Sequence, residues 1–139
     1  MSLYHVYYTL GIPITSLSIA GPVCYDRQVQ LTCHHHDITD TTSSGPIFSQ
    51  TSPVVWMKDG ERIDLPDTYH MVVSQNNTET VVNVTTRKSV FLNGEANYSC
   101  AVVYADDSME ESEPVTVRVR GECVSCHIQM RLLTLLYVS

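Results

Sequence analysis

Short runs of alternating apolar and polar residues dominate the chain. Val29, Leu31 and Cys33 alternate with Gln30 and Thr32; Val54 and Trp56 are separated by one residue. Val82 and Val84 alternate with Asn83 and Thr85, and Ala96, Tyr98, Cys100 and Val102 with Asn97, Ser99 and Ala101. Val115, Val117 and Val119 alternate with Thr116, Arg118 and Arg120. Successive side chains of a strand point to opposite faces, so each run has one face fit for a core.

Turn residues separate the runs. Lys58-Asp59-Gly60-Glu61 predicts a tight hairpin, because Asp-Gly supplies the positive φ values such turns need. Ser74 to Thr78 and Leu92-Asn93-Gly94-Glu95 read as further turns. No long segment shows a helical face. Many short strands with frequent turns predict an all-β sandwich or barrel.

Composition narrows the picture. The chain has 139 residues, 43% of them hydrophobic and 17% charged, which suits one packed domain. Its net charge of −7, with only eight scattered Lys and Arg, argues against a nucleic-acid partner. Five cysteines point to disulfides or metal. The sequons at Asn76, Asn83 and Asn97 favour the secretory route and are candidate glycosylation sites. The longest apolar piece, Leu132 to Val138, is far short of the roughly 20 residues that span a bilayer, so this segment is not expected to insert in a membrane.

Three of these runs resemble the immunoglobulin superfamily. Val29 to Cys33 looks like its strand B, Val55 to Gly60 like strand C with a buried tryptophan, and Asn97-Tyr98-Ser99-Cys100 like strand F. The order Cys, Trp, Tyr-x-Cys is the one that family shows. The resemblance implies an antiparallel β-sandwich of seven to eight strands, of intermediate-like or constant type, over residues 13–121. It implies a Cys33–Cys100 disulfide across the two sheets, with Trp56 packed on it and the Tyr98 hydroxyl bonded to nearby backbone. Family members often carry an acid four positions before that tyrosine; Gly94 stands here instead. Residues 1–12 are expected to be an extension and 122–139 an irregular tail, with Gly121-Glu122 matching read-through of an exon end. A second bridge, from Cys24 to Cys123 or Cys126, is geometrically open if the α-carbons approach within about 7 Å.

On this map Asp37 to Pro53 is a long B–C loop. Ile47 and Phe48, two apolar residues in a polar stretch, are candidate partner contacts. Asp106 to Glu113 is the F–G loop at the same end, and Asp106, Asp107, Glu110 and Glu111 are candidate contacts for a basic partner. His34, His35 and His36 supply metal-ligand types, yet neighbours at a strand end point in alternate directions, so no metal is assigned. Asn76 lies in a turn, while Asn83 and Asn97 face outward by alternation; a glycan on Asn97 would cover the C, F and G strands.

No Ser–His–Asp set or paired carboxylates can be placed, and neither catalysis nor a cofactor is expected. The expected function is an extracellular recognition module, a cell-adhesion or receptor ectodomain fragment. It would belong to a longer chain at the cell surface and bind a protein ligand or a second copy of itself. The alternative is a structural spacer in a multi-domain array. A small metal or redox enzyme using the histidines and the Cys123–Cys126 pair is the least supported.

Overall fold

A computed structural model describes residues 12–39 and 47–122. These residues form strands and turns with no helix. The strands are β1 (Ile14–Leu17), β2 (Val23–Cys24), β3 (Gln28–His34), β4 (Val54–Lys58), β5 (Glu61–Ile63), β6 (His70–Gln75), β7 (Glu79–Thr85), β8 (Glu95–Val103), β9 (Met109–Glu111) and β10 (Val115–Gly121).

They make two sheets. One has the order β1-β3-β7-β6; the other has β2-β10-β8-β4-β5, with β9 paired to β8. All pairings are antiparallel except β2 with β10. The ten strands exceed the seven or eight expected because the first edge strand divides into β1 and β2 and the arm after β8 divides into β9 and β10, both paired to β8. β1 lies on one sheet; the chain then turns at Gly21 (φ 99°) and Pro22 and enters the other sheet as β2. A side chain is strained at that φ, and a proline has no amide to pair, so the sequence here favours a break over a continuous strand.

Alternation decides which faces meet. Val29, Leu31 and Cys33 of β3 and Val82 and Val84 of β7 are buried on one sheet. Trp56 of β4, Ala96, Tyr98 and Cys100 of β8, and Val117 and Val119 of β10 face them from the other. Phe91, in the turn before β8, seals one end of this cluster. Cys33 and Cys100 are joined across the layer, with Cα atoms 6.0 Å apart and a sequence separation of 67.

The turns behave as their residues demand. Asp59 (φ 51°) and Gly60 (φ 84°) close the β4–β5 hairpin. Gly94 (φ 76°) receives a hydrogen bond on its carbonyl from Val119 N at 2.7 Å and donates its own amide to Phe91 O at 3.0 Å. A glycine therefore stands at that position because the backbone needs φ > 0 beside β10. Thr86, fully buried, accepts from Arg27 N (2.9 Å) and donates to Cys24 O (2.7 Å), tying the end of β7 to the β2–β3 turn.

Replacing both Cys33 and Cys100 by Ala removes the closure of this long loop. The chain-entropy model puts the loss at about 4 kcal/mol. Urea unfolding of the double variant should show a midpoint lowered accordingly. A midpoint within error of the parent would mean that the bridge contributes little.

Candidate functional site

The loop after β3 and the loop after β8 meet at one end of the sandwich. Residues 47 to 53 run alongside the end of β8 and beyond it. Val103 N donates to Pro53 O and Ser49 N to Val103 O, both at 2.8 Å; Ala105 N donates to Ile47 O at 2.7 Å. Phe48 and Tyr104 form a β-bridge, and their rings stack with centroids 5.3 Å apart. Ile47 stands on this platform, 61% exposed. Its backbone is fixed by the loop opposite while its side chain faces water.

The turn beyond Tyr104 is built from its own polar groups. Asp107 N donates to Tyr104 O and Tyr104 N to Ser108 O, both at 2.9 Å. Asp107 sits at φ 69°, a region that Asp tolerates better than most residues. Asp106 accepts from the Ser108 amide (2.9 Å) and hydroxyl, and these bonds hold its carboxyl below the usual carboxylate range. Asp106 thus secures the turn, and Asp107, exposed in the same turn, is the freer charge, two residues after the Ala105 amide that bonds Ile47 O.

The acidic stretch is less of a loop than its composition and its place on the map suggested. Met109–Glu111 is a strand, pairing Met109 with Val103 and Glu111 with Ala101. Glu111 accepts from Ser99 Oγ at 2.7 Å, Glu110 is half-buried, and Met109 is 47% exposed. Ser112 is buried. Its hydroxyl lies 2.6 Å from Thr15 Oγ1, and both oxygens lie 3.1 Å from Cys100 N as acceptors. Of the proposed acidic contacts, Asp106 and Asp107 belong to the tip; Glu110 and Glu111 belong to a paired strand. Sequence alone missed this because a run of acids does not read as a strand, although hairpin pairing can hold one.

The three histidines go separate ways. His35 is buried, with Nδ1–H donating to His36 O (2.9 Å) and Nε2 accepting from Thr80 Oγ1 (3.1 Å) as the arrangement that satisfies both. His34 Nδ1 lies 3.9 Å from a Glu79 oxygen, and His36 is exposed.

A second polar constellation was not foreseen. His70 of β6 is buried between Asp67 and Tyr98. Its Nδ1 lies 3.0 and 3.1 Å from the two Asp67 oxygens, and its Nε2 lies 2.8 Å from the Tyr98 hydroxyl. The expectation that Tyr98 would bond backbone is corrected here: its hydroxyl takes His70 as partner. The reason is position. His70 pairs with Val84 on the inward face of an edge strand, which aims the ring into the layer over Tyr98. Burial works against the Asp67 carboxylate, but the Tyr69 amide and the His70 ring outweigh it and hold its pKa below the ordinary value. Burial, with Asp59 and Asp67 nearby, pushes the Tyr98 phenol far up. A signal existed in the β-forming run Tyr69 to Val73, but without alternation it marked no face.

The remaining expected positions are also placed. Trp56 is buried against the cluster holding the Cys33–Cys100 bridge, its Nε1 without a hydrogen-bond partner. Cys24 is disulfide-bonded. Its expected partners, Cys123 and Cys126, lie outside the described residues, as do most of residues 1–12 and nearly all of 122–139. Asn76 and Asn97 are exposed. Asn83 faces outward from its sheet as expected, but it is half-buried with Oδ1 enclosed.

Two stacked sheets, an edge strand shared between them and a buried Cys–Cys–Trp centre decide the architecture. The fold is an immunoglobulin-like β-sandwich. Among solved structures the chain is similar to the N-terminal Ig1-2 module of the Drosophila receptor protein tyrosine phosphatase DLAR. The TM-score is 0.51 at 12% identity, covering 79% of this chain. The match takes in 50% of that module, so the chain spans about half its length. No family model and no curated protein matches. In immunoglobulin terms the tip is formed by the B–C and F–G loops, and β5 is a C′ strand beside strand C.

The Asp67–His70–Tyr98 chain generates a pH dependence. A carboxyl held below its unfolded value contributes stability above that value, about pH 4, and loses it as pH falls through the lower folded value. Denaturant unfolding at neutral and acid pH should therefore show a shallower acid loss for Asp67→Asn than for the parent. Tyr98→Phe should cost about 1–3 kcal/mol at neutral pH by leaving His70 Nε2 without its donor. Identical acid slopes for parent and Asp67→Asn would remove Asp67 from the account.

Proposed function

We propose that this immunoglobulin domain is an extracellular recognition module that binds a protein partner through its B–C and F–G loop tip. The carrying observation is Ile47, 61% exposed and fixed in place by the Phe48–Tyr104 stack and the Ala105–Ile47 hydrogen bond. An apolar side chain already ordered before binding loses little further entropy on docking. Asp107, exposed in the F–G turn of the same tip, favours a partner whose apolar pocket carries a basic rim. The described residues contain no helix long and apolar enough to cross a membrane.

The Cys33–Cys100 bridge supports an oxidising compartment. The likeness to a module from a receptor supports a place in a longer cell-surface chain, as analogy of fold. The reading assigns the domain no catalytic step and no cofactor.

The test is surface staining of intact cells with the domain multimerised on a scaffold to raise avidity. Staining should disappear after the cells are treated with trypsin. Ile47→Asp should lower it at least about tenfold, the scale of a contact near a binding centre, with thermal stability unchanged. Leu92→Asp, at an 82% exposed position on the opposite end, should leave it intact. Equal loss from both variants, or none from Ile47→Asp, would overturn the tip assignment. A folded multimer that stains no cell type would favour the spacer role.

A further inference from the structure

The three Asn-x-Ser/Thr sequences occupy three different settings. Asn76 caps the β6–β7 turn. Its Oδ1 accepts from Thr78 N (3.0 Å) and Glu79 N (2.8 Å), with the Thr78 hydroxyl at 3.5 Å. The amide oxygen is thus committed to the turn, and the side chain is exposed with no hydrogen bond to its Nδ2. This is an Asx-turn, in which the side chain replaces a backbone carbonyl. Asn97 is exposed on the outer face of β8, where its Oδ1 accepts from Thr116 Oγ1 at 2.6 Å and its Nδ2 is likewise unused.

Asn83 differs. It lies mid-strand in β7, in register with Gln30 of β3 on one side and Met71 of β6 on the other. The residue is half-buried, and its Oδ1 is covered without any hydrogen-bond partner. Its amide oxygen is enclosed by its neighbours, so a glycan on this amide would have to leave from a side chain already half-buried in the sheet.

We infer that the chain carries N-linked glycans on Asn76 and Asn97 and none on Asn83, and that these glycans flank the Ile47 tip without covering it. The inference rests on the extracellular reading, because the sugar donor is a polyprenyl-pyrophosphate oligosaccharide of the secretory route. The bond from Asn Nδ2 to the anomeric carbon forms as the bond from that carbon to the pyrophosphate oxygen breaks. The amide loses one proton and the lipid pyrophosphate is the leaving group.

The placement has a consequence for docking. Asn97 starts β8, next to the Asp59–Gly60 turn: Asp59 N donates to Asn97 O at 2.8 Å. A glycan there covers the far half of the β10-β8-β4 face, away from the tip. Asn76 lies at the tip end but on the other sheet, where Ile38 N donates to Asn77 O at 3.0 Å and His35 N to Thr78 O at 2.9 Å. A glycan there closes the approach from the β6–β7 side. The route left open to Ile47 runs over Met109 and the β8–β9 hairpin.

The full chain, secreted from eukaryotic cells behind a leader, is treated with peptide N-glycanase in heavy-oxygen water and mapped by peptide mass spectrometry. The heavy-oxygen label should appear at Asn76 and Asn97 and not at Asn83. Asn76→Gln and Asn97→Gln should each raise gel mobility by one step, and Asn83→Gln by none. Label at Asn83, or secreted protein unlabelled at Asn76 and Asn97, would overturn the assignment while leaving the tip reading standing. Retention of the chain in the cytosol would overturn both. Glycan removal should preserve the Ile47-dependent cell staining; its loss would contradict the flanking arrangement.

Discussion

Everything in this domain is referred to the Cys33–Cys100 bridge and the side chains packed around it. The bridge joins the central strands of the two sheets, β3 and β8, at one point. Trp56 on β4 and Tyr98 on β8 bury their rings in the same layer, so both strands beside the bridge are held by large apolar contacts as well as by the covalent link. Once β8 is fixed, its two ends are fixed too. One end carries the tip through Tyr104; the other carries Asn97. The distance between the proposed docking site and the proposed glycan is therefore set by the length of a single rigid strand.

The layer around the bridge is not wholly apolar, and its polar members lie at its margins. Thr15 of β1 and Ser112 after β9 place two hydroxyls on Cys100 N, with Thr15 Oγ1 also 3.2 Å from Cys100 Sγ. They close one open side of the sandwich. At the other side, His70 of the edge strand β6 reaches Tyr98 and is held by Asp67. Buried polar groups are costly unless paired, and these are paired with each other across the two sheets. Each edge of the sandwich is thus stapled by hydrogen bonds that a purely apolar seam would not direct.

Alternation made β3, β7 and β10 readable, because each has one wet face and one dry face; β4 and β8 were read from the Trp56 and Cys100 side, although Val55, Met57, Ala101 and Val103 form a second buried cluster on the other. It failed where a strand has no such contrast. In β6 the residues from Met71 to Gln75 are all exposed, and only His70 faces inward. In β9 two acids follow a methionine, and composition argued for a loop. β1 and β2 are short and belong to different sheets, so neither shows a full period. The same limit explains the site. Ile47 and Phe48 stood out as apolar residues in a polar stretch, and that contrast was enough to mark them. The Asp67–His70–Tyr98 chain joins residues remote in sequence, and only the register of β6 on β7 brings them together. The mismatch at Gly94, where many immunoglobulin-superfamily domains carry an acid, was legible as a departure from the pattern the sequence resembles; its cause, a left-handed turn bonded to Val119, was not.

Charge bears on what kind of partner the tip can accept. The chain carries −7 overall, and Asp106, Asp107, Glu110 and Glu111 crowd the F–G hairpin. Two copies meeting tip to tip would bring these groups together, with no Lys or Arg among the described residues of either loop to answer them. Like charges across an interface oppose association, whereas a basic rim on a partner would speed encounter. The cations gather elsewhere: Arg87 pairs with Asp26 and Lys88 with Glu122 at the opposite end of the sandwich. Self-association through equivalent tips is thus disfavoured by the same charges that favour a different, basic protein. Because Asp106 and Glu111 already accept internal hydrogen bonds, the proposed docking would take its specificity mainly from Asp107 and from the apolar fit of Ile47.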